Sequence, residues 1–278
     1  MVIIGELINT SRKAVGEAVR RRDAAFIQDL ARRQAAAGAD YIDVNAGTLV
    51  GEEAEALAWL VRTVQEAVDR PCCVDSADAA AVDAALAAHK GRAMINSVTL
   101  EKDRYDKMAP LAPKYGARIV ALCMDDRGIP ANAGYRFEVA NQLVEGLTAT
   151  GVARDDILLD PLVQPISTGT DNGLVVLDTV RAIRDQLTGV HMVCGLSNVS
   201  YGLPSRKLLN TAFLVLAMAA GLDAAILNPL DGEQMAFLTA AKALLGQDRF
   251  CRGYLTAHRQ GKLGGGDRDA GGKGAGRG

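Results

Sequence analysis

Short apolar runs alternate along the chain with longer segments in which apolar residues recur every three or four positions. The short runs are typical of strands buried on both faces of a sheet, and the longer segments are typical of amphipathic helices. The predicted strands are Val2–Glu6, Tyr41–Asn45, Cys72–Asp75, Ala93–Asn96, Arg118–Leu122, Ile157–Asp160, His191–Gly195 and Ala224–Asn228. The predicted helices are Asp23–Ala37, Glu52–Val68, Asp78–His89, Asp103–Tyr115, Tyr135–Thr150, Leu174–Leu187, Ser205–Ala220 and Gly232–Leu245.

Eight strand–helix units in about 250 residues are the count of a (β/α)8 barrel, so we expect an α/β protein with a single TIM barrel. The alternative is an open, doubly wound sheet, which would need a G-x-G-x-x-G phosphate loop after the first strand. The chain has Gly5-Glu6-Leu7-Ile8-Asn9 at that point, which favours the barrel.

The composition changes after the last predicted helix. Residues 261–278 are Gly, Lys, Arg and Asp with almost no apolar side chains. A segment of this kind cannot bury enough apolar surface to fold. We therefore predict a barrel domain over residues 1–258 and a flexible, disordered Gly/Lys/Arg-rich tail over residues 259–278.

Charge and composition narrow the possible partners. The 31 basic and 33 acidic residues give a net charge of -2, which argues against nucleic acid or an acidic membrane as a partner. No apolar run approaches the length of a membrane span, and the apolar start is too short for a signal peptide. Five cysteines without C-x-x-C spacing and three scattered histidines predict reduced thiols, a cytoplasmic location and no intrinsic metal.

Functional residues of such barrels lie at the C-terminal ends of the strands. The predicted strand ends and the loops after them carry carboxylates and amides, with almost no Lys, Arg, His or Cys. This set suits a neutral, polar, planar ligand with several N–H donors and suits phosphate poorly. The candidate residues are Glu6, Asn9, Asp43, Asn45, Asp75, Asn96, Asp160, Ser197, Asn198 and Asn228.

Each candidate also has a structural explanation, because an Asp or Asn at a strand end often caps the next helix. Function is favoured at Asp75, since Ser76 and Asp78 can cap in its place. It is also favoured at Asp160, since Pro161 offers no N–H to a cap. The sequence does not decide between a functional and a structural role for Glu6 and Asn96. It favours turn or structural roles for Asp43, Asn45 and Asn228.

Several short motifs follow one another in order over residues 1–255. They are Ile3-Ile4-Gly5-Glu6-Leu7-Ile8-Asn9, Asp43-Val44-Asn45-Ala46-Gly47, Asp75-Ser76, Arg92-Ala93-Met94-Ile95-Asn96-Ser97, Asp160-Pro161-Leu162, Gly195-Leu196-Ser197-Asn198-Val199-Ser200 with Arg206 and Asn210, and Gly221-Leu222-Asp223-Ala224-Ala225-Ile226. In this order the chain resembles the methyltetrahydrofolate:corrinoid protein methyltransferases. These are pterin-binding TIM barrels related to dihydropteroate synthase and to the folate domain of cobalamin-dependent methionine synthase.

The resemblance implies roles for individual residues. Asp75, Asn96 and Asp160 match the positions that hold the pterin ring. Asn198 matches the amide that contacts N5, from which the methyl group leaves, and is the predicted catalytic residue. Ser197 and Arg206 match neighbours of the folate. Glu6 and Asn9, in the first motif, complete the predicted substrate-binding set.

The resemblance also implies the substrates and partners. The substrate is tetrahydrofolate or 5-methyltetrahydrofolate, and the methyl group moves to or from the cobalt of cobalamin. The corrinoid signature D-x-H-x-x-G is absent around all three histidines, so we expect the cobalamin on a separate corrinoid protein that docks transiently at the barrel mouth. Relatives are homodimers, so the resemblance also implies that this chain forms a homodimer. The alternatives are a dihydropteroate synthase-like enzyme and a non-catalytic folate-binding barrel; the sequence leaves open the direction of transfer, the upstream methyl donor and the polyglutamate preference.

Overall fold

The computed structural model describes residues 1–263, and the chain divides into two compact units with the boundary after Leu230. The first unit contains all eight strands. Most of the predicted tail, residues 259–278, lies outside the described residues, so the domain limits stay a prediction.

The strands form one parallel sheet in which chain neighbours are also sheet neighbours. They are β1 (Val2–Asn9), β2 (Tyr41–Asn45), β3 (Cys72–Asp75), β4 (Met94–Val98), β5 (Arg118–Leu122), β6 (Ile157–Asp160), β7 (His191–Met192) and β8 (Ala224–Leu227). The sheet closes because β1 pairs with β8, and because Ile226 donates its N–H to the carbonyl of Cys194, just beyond β7, at 3.0 Å. The predicted (β/α)8 TIM barrel is confirmed.

The helices follow the strands in chain order. They are α1 (Lys13–Arg20), α2 (Ala24–Ala36), α3 (Glu53–Gln65), α4 (Ala79–Ala88), α5 (Lys102–Met108), α6 (Leu111–Tyr115), α7 (Ala133–Ala149), α8 (Asn172–Gln186), α9 (Arg206–Ala220), α10 (Gly232–Leu244) and α11 (Arg252–Arg259). A short 3-10 turn, Leu196–Ser200, lies between β7 and α9. Within residues 1–263 no helix is both long and apolar enough to span a bilayer.

The structure corrects three features of the predicted pattern. The single helix predicted over Asp103–Tyr115 is two helices, α5 and α6, and Pro110 immediately precedes α6. Proline has no N–H to continue a helix from the preceding turn. The strand predicted over His191–Gly195 has only two residues. Helices α1 and α11 were not expected, because each has only eight residues, fewer than the roughly 11–18 residues over which apolar periodicity is recognised.

The inside of the barrel is filled by aliphatic and sulfur-containing side chains. A fully buried cluster takes residues from seven strands or strand ends, and Tyr41 of β2 packs against it. Its members are Ile4, Cys73, Met94, Val120, Leu158, Val193 and Ala224. None of these members is aromatic, as the 4% aromatic content of the chain indicated.

Candidate active site

The alternation of side chains along a strand places the polar candidates directly above the buried cluster. Successive strand residues point to opposite faces, so a residue two positions after a cluster member points the same way. Applied to Ile4, Cys73, Met94 and Leu158, this rule brings four candidates to the C-terminal mouth of the barrel. They are Glu6, Asp75, Asn96 and Asp160.

Two amide–carboxylate pairs connect β2, β3 and β4 at this mouth. Asn45 donates from its Nδ2 to Oδ2 of Asp75 at 2.9 Å, and Asn96 donates from its Nδ2 to Oδ1 of Asp43 at 3.4 Å. The strand register sets Asn45 beside Asp75 and Asp75 beside Asn96. Asn45 also accepts the N–H of Gly47 in a turn, so it combines the expected structural role with a contact to the polar cluster.

Helix capping does not occupy Asp75. Asp78 caps α4 by accepting the N–H of Ala80 at 2.9 Å, and its own N–H is bound by the hydroxyl of Ser76. The Ser76 hydroxyl in turn donates to Glu53 at 2.6 Å. The Asp75 carboxyl therefore keeps acceptor capacity for a ligand.

Burial changes the charge of the mouth acids. Desolvation, and then the nearby Asp75, raise the pKa of Asp43 well above its usual range, against hydrogen bonds from Cys73 and Asn96. Desolvation also raises the pKa of Asp75 and of Glu6. These acids therefore retain their protons to higher pH than exposed acids do.

Asp160 ends β6 opposite Leu122 and is buried. Its Oδ1 accepts the N–H of Leu162 at 2.8 Å. Desolvation raises the pKa of Asp160 to about 7, although the Leu162 N–H and the Arg136 guanidinium both lower it. A carboxyl of this kind is close to half ionised at neutral pH.

The turn Leu196–Ser200 carries Ser197 and Asn198. Arg206 fixes this turn: its Nη2 donates to the Ser197 carbonyl at 2.6 Å, and its Nε donates to the Ser200 hydroxyl at 3.0 Å. Ser200 donates in turn to Oδ1 of Asn210 at 2.7 Å. Asn198 is exposed, and among residues 1–263 its side-chain amide has no hydrogen-bond partner, so it is available to a ligand.

Asn9 and Asn228 shape turns. The pairing of β1 with β2 is irregular between Gly5 and Ile8, which takes Asn9 out of the simple alternation. Asn9 accepts the N–H of Ser11 at 2.9 Å, and Asn228 accepts the N–H of Leu230 at 3.0 Å. The turn role expected for Asn228 agrees with this geometry. In the described part of the chain no hydrogen bond joins Asn9 to the acids of the mouth, and its substrate role stays a prediction.

Three arginines near the mouth were not predicted from the sequence. Arg12 forms an ion pair with Glu6 at 3.3 Å, and Arg104 donates to the carbonyl of Ser97 at 3.1 Å and lowers the pKa of Asp75. Arg136 is completely buried beside the loop that follows Asp160. Its position was visible in the sequence, because it shares the buried face of α7 with Val139 and Leu143.

The donor set at the mouth fits a pterin. A pterin edge presents adjacent N–H groups, and a carboxylate can accept two of them in one charge-assisted pair. Amides such as Asn96 can both donate and accept. Within residues 1–263 no group of three or more His, Cys, Asp or Glu side chains is arranged to hold a metal ion.

Fold and site together define a parallel barrel that receives a flat, polar heterocycle at its C-terminal mouth. The family model described as "Pterin binding enzyme" matches residues 5–228. A methylcorrinoid:tetrahydrofolate methyltransferase of Eubacterium limosum is 39% identical over 266 residues, which are 95% of this chain and 98% of that protein. The chain belongs to this family of pterin-binding enzymes, and the resemblance seen in the motifs is confirmed.

Two further relatives are more distant. A methionine synthase of Mycobacterium tuberculosis is 30% identical over 241 residues, so the match covers 82% of this chain and only 20% of that much longer protein. The solved dihydropteroate synthase of Xanthomonas albilineans has a TM-score of 0.67 at 18% identity and covers 89% of this chain and 93% of its own. At that identity the likeness shows a common fold alone.

Proposed function

We propose that the protein transfers a methyl group between N5 of tetrahydrofolate and the cobalt of a separate corrinoid protein. The observation that carries this proposal is the match to the E. limosum methylcorrinoid:tetrahydrofolate methyltransferase over nearly the full length of both chains. The acids and amides at the barrel mouth agree with it, because they complement a pterin edge.

In this proposal Asp75, Asn96 and Asp160 hold the pterin ring. Support comes from their common direction above the buried cluster and from their hydrogen-bonding capacity. Glu6 and Arg206 lie within electrostatic reach of each other at the same mouth, and we assign both, with Ser197 and Asn9, to the remainder of the folate. The negative charge of the folate tail favours an arginine among these residues.

Asn198 is the proposed catalytic residue. A tertiary amine nitrogen cannot leave carbon as an amide anion, so N5 must carry a proton when the C–N bond breaks. Asn198 has no titratable proton, and the proton on N5 comes from solvent. The Asn198 carbonyl accepts a hydrogen bond from protonated N5 and thereby favours the protonated form. The rest of the rate comes from holding the methyl group in line with the acceptor.

The corrinoid partner docks at the barrel mouth in this proposal. The reduced corrinoid supplies the nucleophile that accepts the methyl group, and it must approach the methyl group directly. The buried cluster of aliphatic side chains fills the barrel below the site, so the mouth is the side from which the pterin is accessible.

We also propose a homodimer and a cytoplasmic location. Leu208, Ala212, Leu216 and Ala219 are exposed along one face of α9, and the Leu208 and Leu216 residues are 71% and 54% exposed. An exposed apolar stripe of this kind is typical of an interface between subunits.

The five cysteines are all free thiols, which agrees with a reducing compartment such as the cytoplasm.

One assay tests the proposed activity. The protein is mixed with 5-methyltetrahydrofolate and reduced cobalamin, and the cobalt absorption spectrum is followed. We expect methylcobalamin to form. Folate binding without any methylcobalamin would contradict the proposal and favour the non-catalytic folate-binding barrel.

The Asn198→Ala variant tests the role of Asn198. We expect the rate of methyl transfer to fall about 100-fold, as for other residues that stabilise developing charge. We expect the Kd for folate to rise by no more than about fivefold, the cost of one hydrogen bond. Asn141→Ala, which removes an amide from the exposed side of α7, is the control and should leave both values unchanged. Equal losses of rate and binding would contradict the assignment.

A further inference from the structure

Arg136 is an arginine with no exposed surface, on the buried face of α7. Burying a guanidinium is costly unless its donors are satisfied. Within residues 1–263 it makes no ion pair with a carboxylate closer than 4.0 Å. Its charge is therefore not neutralised by direct contact, and the reason for placing it here must lie in its hydrogen bonds and its longer-range field.

Within residues 1–263 the side-chain hydrogen bonds of Arg136 run to two loops at the barrel mouth. Its Nε donates to the carbonyl of Pro130 at 2.9 Å, in the loop before α7. Its Nη1 donates to the carbonyls of Pro161 and Leu162, both at 2.6 Å, and its Nη2 donates to Oε1 of Gln164 at 3.0 Å. One planar guanidinium group thus binds three residues of the loop that follows β6.

The same loop holds the Asp160 carboxyl. Leu162 has a left-handed backbone conformation, with φ of 63°, which a leucine rarely adopts. In this conformation its carbonyl accepts from Arg136 and its N–H donates to Asp160 Oδ1 at 2.8 Å. Leu162 therefore connects Arg136 to Asp160, the residue predicted to bind the pterin, through two hydrogen bonds.

We propose that Arg136 is a positioning residue for Asp160: it fixes the loop after β6 so that the Asp160 carboxylate faces the substrate at the barrel mouth. The inference rests on the proposed function in one respect, namely that Asp160 binds the pterin. Arg136 itself touches no substrate.

The electrostatics agree with the geometry. Arg136 lowers the pKa of Asp160, which burial raises. Within residues 1–263 the other titratable groups that face this pair are the buried thiols of Cys123 and Cys194, whose pKa values are raised by burial and by Asp160. Both thiols are neutral at physiological pH, so Arg136 is the charge that favours ionised Asp160.

Three variants test the proposal. Arg136→Met removes the charge and all hydrogen-bond donors of the guanidinium. Arg136→Lys keeps the charge but replaces the planar guanidinium by an ammonium group with different hydrogen-bond geometry. Arg118→Met is the matched control. The Arg118 side chain is only 13% exposed, and its guanidinium donates to the carbonyl of Asp155 at the other end of the strands. Circular dichroism establishes that each variant is folded.

The first readout does not depend on folate. The Asp160 carboxyl carbon is followed by ¹³C NMR as the pH is changed, and its signal is assigned with Asp160→Asn. We expect the titration midpoint to rise by about one pH unit in Arg136→Met and to stay near the wild-type value in Arg136→Lys and Arg118→Met. An unchanged midpoint in folded Arg136→Met, or an equal rise in Arg118→Met, would overturn the proposal.

The second readout is the split between binding and rate. We expect the KM for 5-methyltetrahydrofolate at pH 7 to rise about tenfold in Arg136→Met and about threefold in Arg136→Lys, with kcat changed by less than about threefold. If Arg136→Met does not fold, Arg136→Lys decides, and a wild-type KM in that variant overturns the proposal. If wild-type protein does not bind the folate, the proposed function fails while the NMR titration still tests Arg136.

Discussion

At the scale of single residues, Asp160 is a carboxyl group that is fully charged at neutral pH in an unfolded chain and only about half charged in the folded barrel. Burial also raises the pKa values of Asp43, Asp75 and Glu6. Such groups oppose folding at neutral pH. Their presence at the mouth, where a pterin can accept or replace their hydrogen bonds, indicates that the site is arranged for a ligand more than for stability.

Asp160→Asn should stabilise the protein at pH 8. The folded-state pKa of Asp160 is above the unfolded value, so the unfolded chain binds fewer protons and wild-type stability falls as pH rises from about 4 to about 7. The amide has no such dependence. We expect a gain on the order of 1–3 kcal/mol in the free energy of unfolding at pH 8 and a smaller gain at pH 5. Urea denaturation at both pH values measures it, and a loss of stability at pH 8 would contradict the expectation.

Folate binding should weaken as the pH falls below about 7. The pterin N–H groups need a carboxylate acceptor, and protonation of Asp160 removes it. Titration of the protein with 5-methyltetrahydrofolate between pH 6 and pH 8.5 measures this dependence. Asp160→Asn should bind weakly and with a flatter pH profile, whereas a profile identical to that of wild type would assign the dependence to another group.

At the scale of secondary-structure elements, the strands were predictable because each is a short, mainly apolar run between longer helical segments. Asp75 and Asp160 end their strands where the pattern placed them, and Asn96 lies two positions from a buried cluster member. The break between α5 and α6 lies at Pro110, which the prediction of one continuous helix did not take into account. The turn Leu196–Ser200 was not predicted, because backbone geometry and not apolar periodicity determines it. The role of Arg136 was not predicted, because arginine side chains are mostly exposed and the apolar spacing of α7 does not show what a buried one binds.

Ser200 should be important for the turn that carries Asn198. Its buried hydroxyl accepts from Arg206 and donates to Asn210, so Ser200→Ala leaves two polar groups without this partner. We expect the turn to loosen and kcat to fall about tenfold, because small displacements of a catalytic group are costly. Steady-state kinetics with reduced cobalamin measure the change. Unchanged kcat in a folded variant would show that the hydroxyl is not needed to hold Asn198.

Asp223 should matter for stability and not for activity. It lies at the N-terminal end of β8, where its carboxylate accepts the N–H of Met192 at 2.8 Å and contacts Nδ1 of His191 at 2.6 Å. Residues at this end of a barrel contribute to folding. We expect Asp223→Ala to lower the free energy of unfolding by about 1–3 kcal/mol and to leave KM and kcat unchanged. A loss of activity at full stability would contradict this division.

At the scale of the whole molecule, the sequence predicted the barrel and most of the polar mouth, because topology brings all strand ends to one side. It could not predict which amides pair with which acids. The Asn45–Asp75 and Asn96–Asp43 contacts depend on the register between strands, which no single strand sequence contains. The exposed apolar face of α9, on which the proposed homodimer rests, likewise became visible only in the folded chain.

Leu216→Glu should disrupt the proposed homodimer. The substitution puts a charge in the middle of the exposed apolar stripe of α9, and burying an unpaired charge in an interface is unfavourable. We expect the mass measured by light scattering to change from that of a dimer to that of a monomer. Val50→Glu, at a residue 93% exposed in another loop, is the control. A wild-type protein that is already monomeric would contradict the proposed assembly.

The half-ionised state of Asp160 has a consequence for the heat of binding. A pterin that selects the carboxylate form releases about half a proton per site at pH 7 into the buffer. The observed binding enthalpy then varies with the ionisation enthalpy of the buffer, and the slope counts the protons released. Phosphate and Tris solutions of equal pH would give different heats for the same affinity.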